Sequence, residues 1–483
     1  MTPRRAPRQS GSTLEVIASE ARRRLGGRVQ RASGASWLSE DSNLASSVAL
    51  RALRVKGAEP GRLVIGRHVA AGFHLGRSQL LATEGRHSVL VVGPTQTLKT
   101  AGLAVPSILE WQGPVVAASV KDDLLATTLP WRSGLGETWV FDPSRSTRYG
   151  SDGWSPLEMC GDWTGARRTA ASLVSQAKTG GVTDADFWYA TAAKLLAPLL
   201  FAAALSGHTM ADVVRWVDTR ERELVESILQ RSSNAQAMSA AWASFDREER
   251  LLSSVYTTAE TVLEPFGDRE VGRVQAEDGI SVKRLLDGGC HTLYICSPSH
   301  EQARLRPLFS ALVEQVLDVA YARASSTSGS LDPPLLVVLD EAANIAPIAS
   351  LDALASTAAS HGIQLVTVWQ DLAQVHARYG ERASTVVNNH RAKLFLSGIS
   401  DIGTLDYVHR IAGERRLREL SVTRDPRGGR STTWHAGREP LLGTAQVRRI
   451  PPGTGILVYG HLPPAAVAMR PWFRDSTLSA RVP

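Results

Sequence analysis

Eight apolar runs of strand length recur along the chain, at 89–92, 115–118, 138–141, 292–296, 335–339, 364–368, 393–396 and 456–459. Their apolarity is continuous rather than alternating, which predicts strands buried on both faces, as in a parallel sheet covered by helices. Helical periodicity fills the intervals. In 309–321, Leu312, Val313, Val316 and Leu317 follow the i, i+4 rows of one helix face. The pattern predicts an α/β fold with a mostly parallel sheet.

Between Asp162 and about Glu270 the strand runs cease, and 188–205, 210–230 and 234–265 read as helices, so an all-α domain is expected inside the α/β one. The expected organisation is an Arg-rich tail over 1–60 with one helix near 14–25, then a first α/β part over 61–160. An all-α domain over 161–275, a second α/β part over 276–475 and a short tail over 476–483 complete it. Residues 325–334 read as a linker and 424–430 (RDPRGGR) as a flexible loop. No internal repeat is present.

Composition narrows the class. With 483 residues and 43% apolar content, the chain is long enough for two or three domains and too apolar to be disordered throughout. Cys160, Cys290 and Cys296 lie far apart, without zinc spacing, which excludes a disulfide scaffold and suggests a reducing compartment. The longest uninterrupted apolar stretch, 195–205, holds Pro198 and falls short of the ~20 residues of a membrane span. No apolar segment of signal-peptide type follows the basic N-terminus. An intracellular, soluble protein is expected.

The net charge of +7 is concentrated at two places. Residues 1–31 hold eight arginines against Glu15 and Glu20, and residues 409–450 hold ten arginines against four acids. The remainder is mildly acidic. Arginine-rich segments suit phosphate backbones or anionic headgroups; solvated tails are the plainer alternative.

The first run leads into Gly93-Pro94-Thr95-Gln96-Thr97-Leu98-Lys99-Thr100 and a helix start. Phosphate binding needs this order: backbone N–H groups at a helix N-terminus, a lysine for the β/γ-phosphates and a hydroxyl for Mg²⁺. Leu98 stands where glycine is expected, at a position where a Cβ crowds the tight backbone. A nucleotide-free strand–turn–helix is the alternative reading.

The run 335–339 ends in Asp340-Glu341. Carboxylates at the C-terminal end of a buried parallel strand reach the crevice where open α/β sheets bind ligands. Asp340 is then the metal-organising carboxylate, and Glu341 orients or deprotonates the attacking water. The run 364–368 ends in Trp369-Gln370, where a glutamine suits a sensor of the γ-phosphate or that water.

With these blocks the chain resembles the type IV secretion coupling proteins, the TraG/TraD-type ATPases of bacterial conjugation, in a short actinobacterial-like form without N-terminal membrane helices. The resemblance runs from about Arg62 to Phe473. It rests on GPTQTLKT (93–100), SVKDDL (119–124), FDP (141–143), WSPL (154–157), DADFWYATAAKLLAPLL (184–200), LYICSPSHEQARLRPLF (293–309), LDEAANIAPI (339–348), VTVWQDLAQ (366–374), ASTVVNNHRAKLFLSGISD (383–401) and REPLL (438–442).

It implies a RecA-like P-loop NTPase fold carrying an all-α domain, homo-hexameric assembly, hydrolysis of ATP with Mg²⁺, and passage of DNA through a central channel. The DNA would be single-stranded and bound to a relaxase, delivered to the components of a type IV secretion channel. The site would be cytoplasmic, at the inner face of the cell membrane, with peripheral attachment through partners or the Arg-rich tail. By motif, Lys99 and the loop from Gly93 bind nucleotide, Thr100 and Asp340 hold the metal, Glu341 is catalytic and Gln370 is the sensor. The residues 356–361 lack the arginine that many members place there as a trans-acting finger; Arg378 and Arg391 are the substitutes.

Other residues admit two readings. Lys121, Asp122 and Asp123 brace the phosphate site or begin a solvated helix. Asn388, Asn389 and His390 line a pore or make local capping bonds. Trp154, Trp188, Trp216 and Trp242 are core residues, with base stacking the alternative. Two rival functions remain: a chromosome-segregation translocase, and a non-hydrolysing adaptor motivated by Leu98.

Overall fold

The fold is taken from a computed structural model, which describes residues 44–69, 79–177, 185–272, 274, 279–298, 300–327, 329–344, 348, 350–424 and 430–482. The tail over 1–43, with the helix expected near 14–25, lies outside them. So do 425–429 of the expected RDPRGGR loop.

In chain order the strands are β1 (Arg54–Val55), β2 (Val64–His68), β3 (Leu80–Ala82), β4 (Val89–Val92), β5 (Val115–Ser119), β6 (Thr138–Phe141) and β7 (Thr292–Cys296). They continue as β8 (Leu335–Leu339), β9 (Ile363–Trp369), β10 (Ala392–Leu396), β11 (Glu414–Arg424), β12 (Arg430–Pro440), β13 (Thr454–Tyr459) and β14 (Ala465–Ala468). All eight apolar runs are strands. The described residues divide into two compact units, one within Met1–Glu110, Ala126–Trp131 and Val368–Pro483, the other within Trp111–Leu125 and Arg132–Thr367.

In the second unit β9 pairs with β8, β8 with β5, β5 with β7 and β7 with β6, and every pairing is parallel. Strands β5, β7 and β8 are buried at every position, as their unbroken apolarity requires. The Gln302–Ser326 helix buries Leu312, Val313, Val316 and Leu317. Arg132 is fully buried and staples the sheet margin: its guanidinium donates to the Trp111 carbonyl (2.8 Å), the Gly113 carbonyl (2.8 Å), the Cys290 carbonyl (3.0 Å) and Thr292 Oγ1 (2.7 Å).

Six longer helices stand together in this unit, Trp163–Ala177, Ala185–Leu205, Met210–Asp218, Glu223–Arg231, Ala235–Phe245 and Glu249–Leu263. Two expected helices are each broken once. Arg220 adopts a left-handed φ of 53° in the first break, and the second falls at the charged residues 246–248. Thr209 caps its helix in a reciprocal capping box with Asp212, and Asn234 accepts from the Ala237 N–H.

The expectation that no segment is long and apolar enough to span a membrane needs correction. Asp186–Leu205 is 20 residues with mean hydropathy 1.4, because the apolar pattern continues through Asp186 and Lys194 in a single helix. Leu195, Leu196, Leu199, Leu200, Ala202 and Ala203 are buried against the surrounding helices, the position of a core helix. Trp154 and Trp216 are core as expected, whereas Trp242 is 46% exposed.

In the first unit β4 pairs in parallel with β10, and the remaining pairings, β10–β13, β13–β14, β14–β2, β2–β3 and β3–β1, are antiparallel. Strand β13 was expected in a parallel sheet. It runs antiparallel, a direction that apolarity alone does not encode. Strands β11 and β12 pair only with each other, in register from Glu414↔Pro440 to Arg424↔Arg430. Most of the second basic segment is thus a two-stranded ribbon, and Arg424 and Arg430 end its strands rather than lying in a loop.

Candidate nucleotide site

The phosphate loop sits in the first unit, between β4 and a helix that opens with a π-helical turn (Thr100–Ala104) and continues as Val105–Glu110. Its entry is fixed by packing. A Cβ on Gly93 would lie 2.9 Å from both Leu396 Cβ and Thr97 Oγ1, so only glycine fits. The Gly93 N–H donates to the Trp369 carbonyl (3.1 Å), which sets the loop one residue from Gln370. Pro94 contributes its carbonyl as acceptor for Thr97 Oγ1 (2.8 Å).

Gln96 and Leu98 both hold left-handed φ values, 65° and 68°. For a residue with a Cβ this costs roughly 1–2 kcal/mol. Leu98 thus has the backbone that glycine adopts without strain, and its side chain has been given room elsewhere. Its Cδ1 lies 3.6 Å from where a Cβ on Gly453 would stand, and its Cβ 3.7 Å from the corresponding point at Gly102. Both neighbours are glycines, at the turn before β13 and on the loop's own helix. The sequence flagged Leu98 and gave no sign of its compensation, because Gly453 is 355 positions away.

The backbone N–H groups of Thr95, Gln96, Thr97 and Leu98 have no acceptor among the described residues. Four consecutive open donors at a helix start form a cradle for anionic oxygens. Lys99 Nζ donates to the Gly93 carbonyl and to the Pro94 carbonyl (2.9 Å). The ammonium is therefore folded onto its own loop, held by neutral acceptors that an anion can replace.

The helix is anchored at its far end. Arg470 clasps Glu110 with both terminal nitrogens (2.8 and 3.0 Å) and reaches Asp475 through Nε (2.8 Å). Arg481 donates to the Leu109 carbonyl (2.6 Å). Burial alone would raise the Asp475 carboxyl, but hydrogen bonds from Arg470 and Thr477 outweigh it and hold it far below the usual range.

Gln370 follows β9, and its backbone N–H donates to Gln374 Oε1 (3.1 Å). Asp371 caps the next helix by accepting from the Gln374 N–H (2.8 Å). Arg378 and Arg391 are both exposed. His390 is fully buried, with Nδ1 2.8 Å from the Val386 carbonyl; burial pulls its pKa down to about 4, which fits the capping reading rather than a pore.

In the second unit Asp340 ends β8. It is buried, and its N–H donates to the Ala118 carbonyl on β5 (2.9 Å). Glu341 has a φ of 66°, and Asn344 Nδ2 donates to its Oε2 (3.3 Å). Gln96, Leu98 and Glu341 are three of the seven non-glycine residues with positive φ among those described, the others being Arg86, Arg145, Arg220 and Ser233.

Strand β5 ends beside β8, bringing Lys121, Asp122 and Asp123 to the same unit's carboxyl edge. Burial raises the Asp123 carboxyl. The Cys296 thiol at the end of β7 is pushed up to about 12 by burial and by the charges of Asp142, Asp122 and Asp123. Asp142, buried at the end of β6, is a residue that motif reading passed over within FDP; it accepts from Ser144 Oγ, Ser146 Oγ and the Thr147 N–H. Among the described residues no cluster of three His, Cys, Asp or Glu could hold a metal unaided.

Comparison with known proteins gives the family and the fold. The family described as Type IV secretory system Conjugative DNA transfer matches residues 47–483. The conjugal transfer protein TraG of Escherichia coli is 25% identical over 447 residues, 83% of this chain and 69% of that protein. Protein VirD4 of Rhizobium rhizogenes is 22% identical, over 82% of this chain and 60% of its own length. Among solved structures, the unbound bacterial conjugative coupling protein TrwBΔN70 superposes with a TM-score of 0.63 at 21% identity, over 86% of this chain and 95% of that one. TrwB in complex with ADP and Mg²⁺ gives 0.61 at 19% identity, over 86% and 96%. The RecA-like α/β fold is therefore that of the coupling proteins. With the match running through both units, the chain belongs to the type IV secretory system conjugative DNA transfer family.

Proposed function

We propose that this protein is an Mg²⁺-dependent ATPase that drives DNA, or a relaxase–DNA complex, toward a type IV secretion channel during conjugation. The observation that carries it is the loop 93–100: four open backbone donors, a lysine whose ammonium donates to the Gly93 and Pro94 carbonyls, and a leucine already in the conformation glycine would supply. The complexes of TrwB with ADP and Mg²⁺ and with an ATP analogue support the choice of nucleotide.

In this reading the N–H groups of residues 95–98 bind phosphate oxygens, and Lys99 exchanges the Gly93 and Pro94 carbonyls for the β/γ-phosphates. The Thr100 hydroxyl and Asp340 hold Mg²⁺, which when bound offsets phosphate charge. Glu341 takes the proton of the attacking water, and Gln370 orients that water. The working form is a homo-hexamer at the cytoplasmic face of the membrane, with single-stranded DNA in its channel and an exposed arginine such as Arg378 or Arg391 acting on a neighbouring subunit.

Steady-state ATP hydrolysis with and without single-stranded DNA tests this reading. Turnover stimulated by DNA and lost in Lys99→Ala and Glu341→Gln is the expected result. Wild-type turnover equal to both variants, at concentrations high enough for assembly, would overturn it in favour of the adaptor reading.

A further inference from the structure

The helical segment holds a feature that nucleotide chemistry does not use. The Trp163–Ala177, Ala185–Leu205 and Ala235–Phe245 helices enclose a trough of about 580 Å³. Alanines from all three helices line it, Ala171, Ala197 and Ala240 among them, and Arg167, Lys194 and Arg247 stand along it. No carboxylate lines it.

That charge pattern runs against its surroundings. From Asp162 to Glu264 the sequence has thirteen carboxylates and ten Lys or Arg, so the segment is acidic overall. Elsewhere in the segment Arg215 pairs with Asp212 (2.8 Å), Arg220 with Glu249 (2.7 Å), and Arg222 with Glu226 and Asp246 (both 2.8 Å), while Arg168, Arg231 and Arg250 make no ion pair among the described residues. Arg167, Lys194 and Arg247 make no ion pair among the described residues. What sets Arg167, Lys194 and Arg247 apart is that they stand around one trough whose lining holds no carboxylate, a surface complementary to negative charge.

We propose that this trough is a docking site for an acidic helical segment of a protein partner. An alanine floor lets a partner helix approach closely, since the axial distance between packed helices is set by the side chains at the contact. Glutamates or aspartates on one face would meet the three cations. The ligand is peptide rather than nucleic acid because the segment's net negative charge repels a long polyanion, while it tolerates a short ligand whose acids lie on one face. The site is independent of the nucleotide reading, since none of its residues belongs to the loop or the acidic pair.

The test uses the full chain and a fluorescein-labelled helical peptide of about 15 residues, long enough to hold a helix. It carries glutamates at i, i+4 and i+7 beside an Ala/Leu face, and binding is read by anisotropy. Arg167→Glu, Lys194→Glu and Arg247→Glu together are expected to weaken binding at least ~10-fold, a difference of about 1.4 kcal/mol. The same peptide with lysine for glutamate is expected to bind that variant, which shows it folded. Ala240→Phe, filling the floor with the charges intact, is expected to weaken binding similarly. The proposal is overturned if wild type does not bind, if all variants bind alike, or if a single-stranded oligonucleotide rather than the peptide loses affinity on charge reversal.

Discussion

The phosphate loop and the helical segment solve opposite problems. In the loop, Gln96 and Leu98 hold left-handed backbone, four N–H groups are left open and Lys99 rests on its own carbonyls. In the helical segment, the helix starts at Thr209 and Asn234 are capped, and Arg215, Arg220 and Arg222 have carboxylate partners. The loop is held open from behind, by Gly453, by the Trp369 carbonyl and by the Arg470–Glu110 clasp, so that its donors wait for a ligand. The helices meet part of their own polar chemistry, and one cationic trough among them has no carboxylate in its lining. Strain and open donors thus mark where chemistry is expected, and satisfied termini mark where stability is.

The contrast is broken most sharply by Lys99→Ala, which should lower ATP turnover by about two orders of magnitude or more with little change in the unfolding midpoint, as removal of a preorganised cation predicts. Arg132→Leu should do the reverse. It strands the buried carbonyls of Trp111, Gly113 and Cys290, and chemical denaturation should show a loss of about 3–5 kcal/mol.

Acid should sharpen the same division. The buried His390 has a folded pKa near 4 against 6.5 for the free side chain, lowered by burial and by neighbouring Lys393 and only partly restored by the Val386 carbonyl. The unfolded chain therefore binds the proton first. Stability should be full above about pH 6.5 and fall progressively toward pH 4, and His390→Gln should flatten that slope. Thr209→Ala removes one side of a capping box and should cost about 1 kcal/mol, read in the same denaturation series. The smallest effect is expected of Leu98→Gly: release of left-handed strain and loss of the contact beside Gly453 oppose each other, leaving stability within about 1 kcal/mol.

Much of this could be read from the sequence because burial on both faces leaves unbroken apolar runs, so β4 to β10 and β13 were all found. What was missed had no such trace. Strands β2 and β3 are short, and β2 is interrupted by Gly66 and Arg67. Strands β11 and β12 are rich in arginine, a poor strand signal, and are recognisable only by their mutual register. The loop, the acidic pair and Gln370 were legible as motifs because their chemistry fixes residue type and order. The accommodation of Leu98 was not, since it depends on Gly453, and neither was the trough, whose cations come from separate helices and share no spacing.

The central claim is that Leu98 takes over the backbone role of glycine and leaves a working phosphate loop. Equilibrium binding of a fluorescent ATP analogue with Mg²⁺, compared between wild type and Leu98→Gly, tests it most directly. Affinities within about fivefold of each other, a difference near 1 kcal/mol, are predicted. Wild type that fails to bind where Leu98→Gly binds would contradict it, and would make the leucine the element that closes the site.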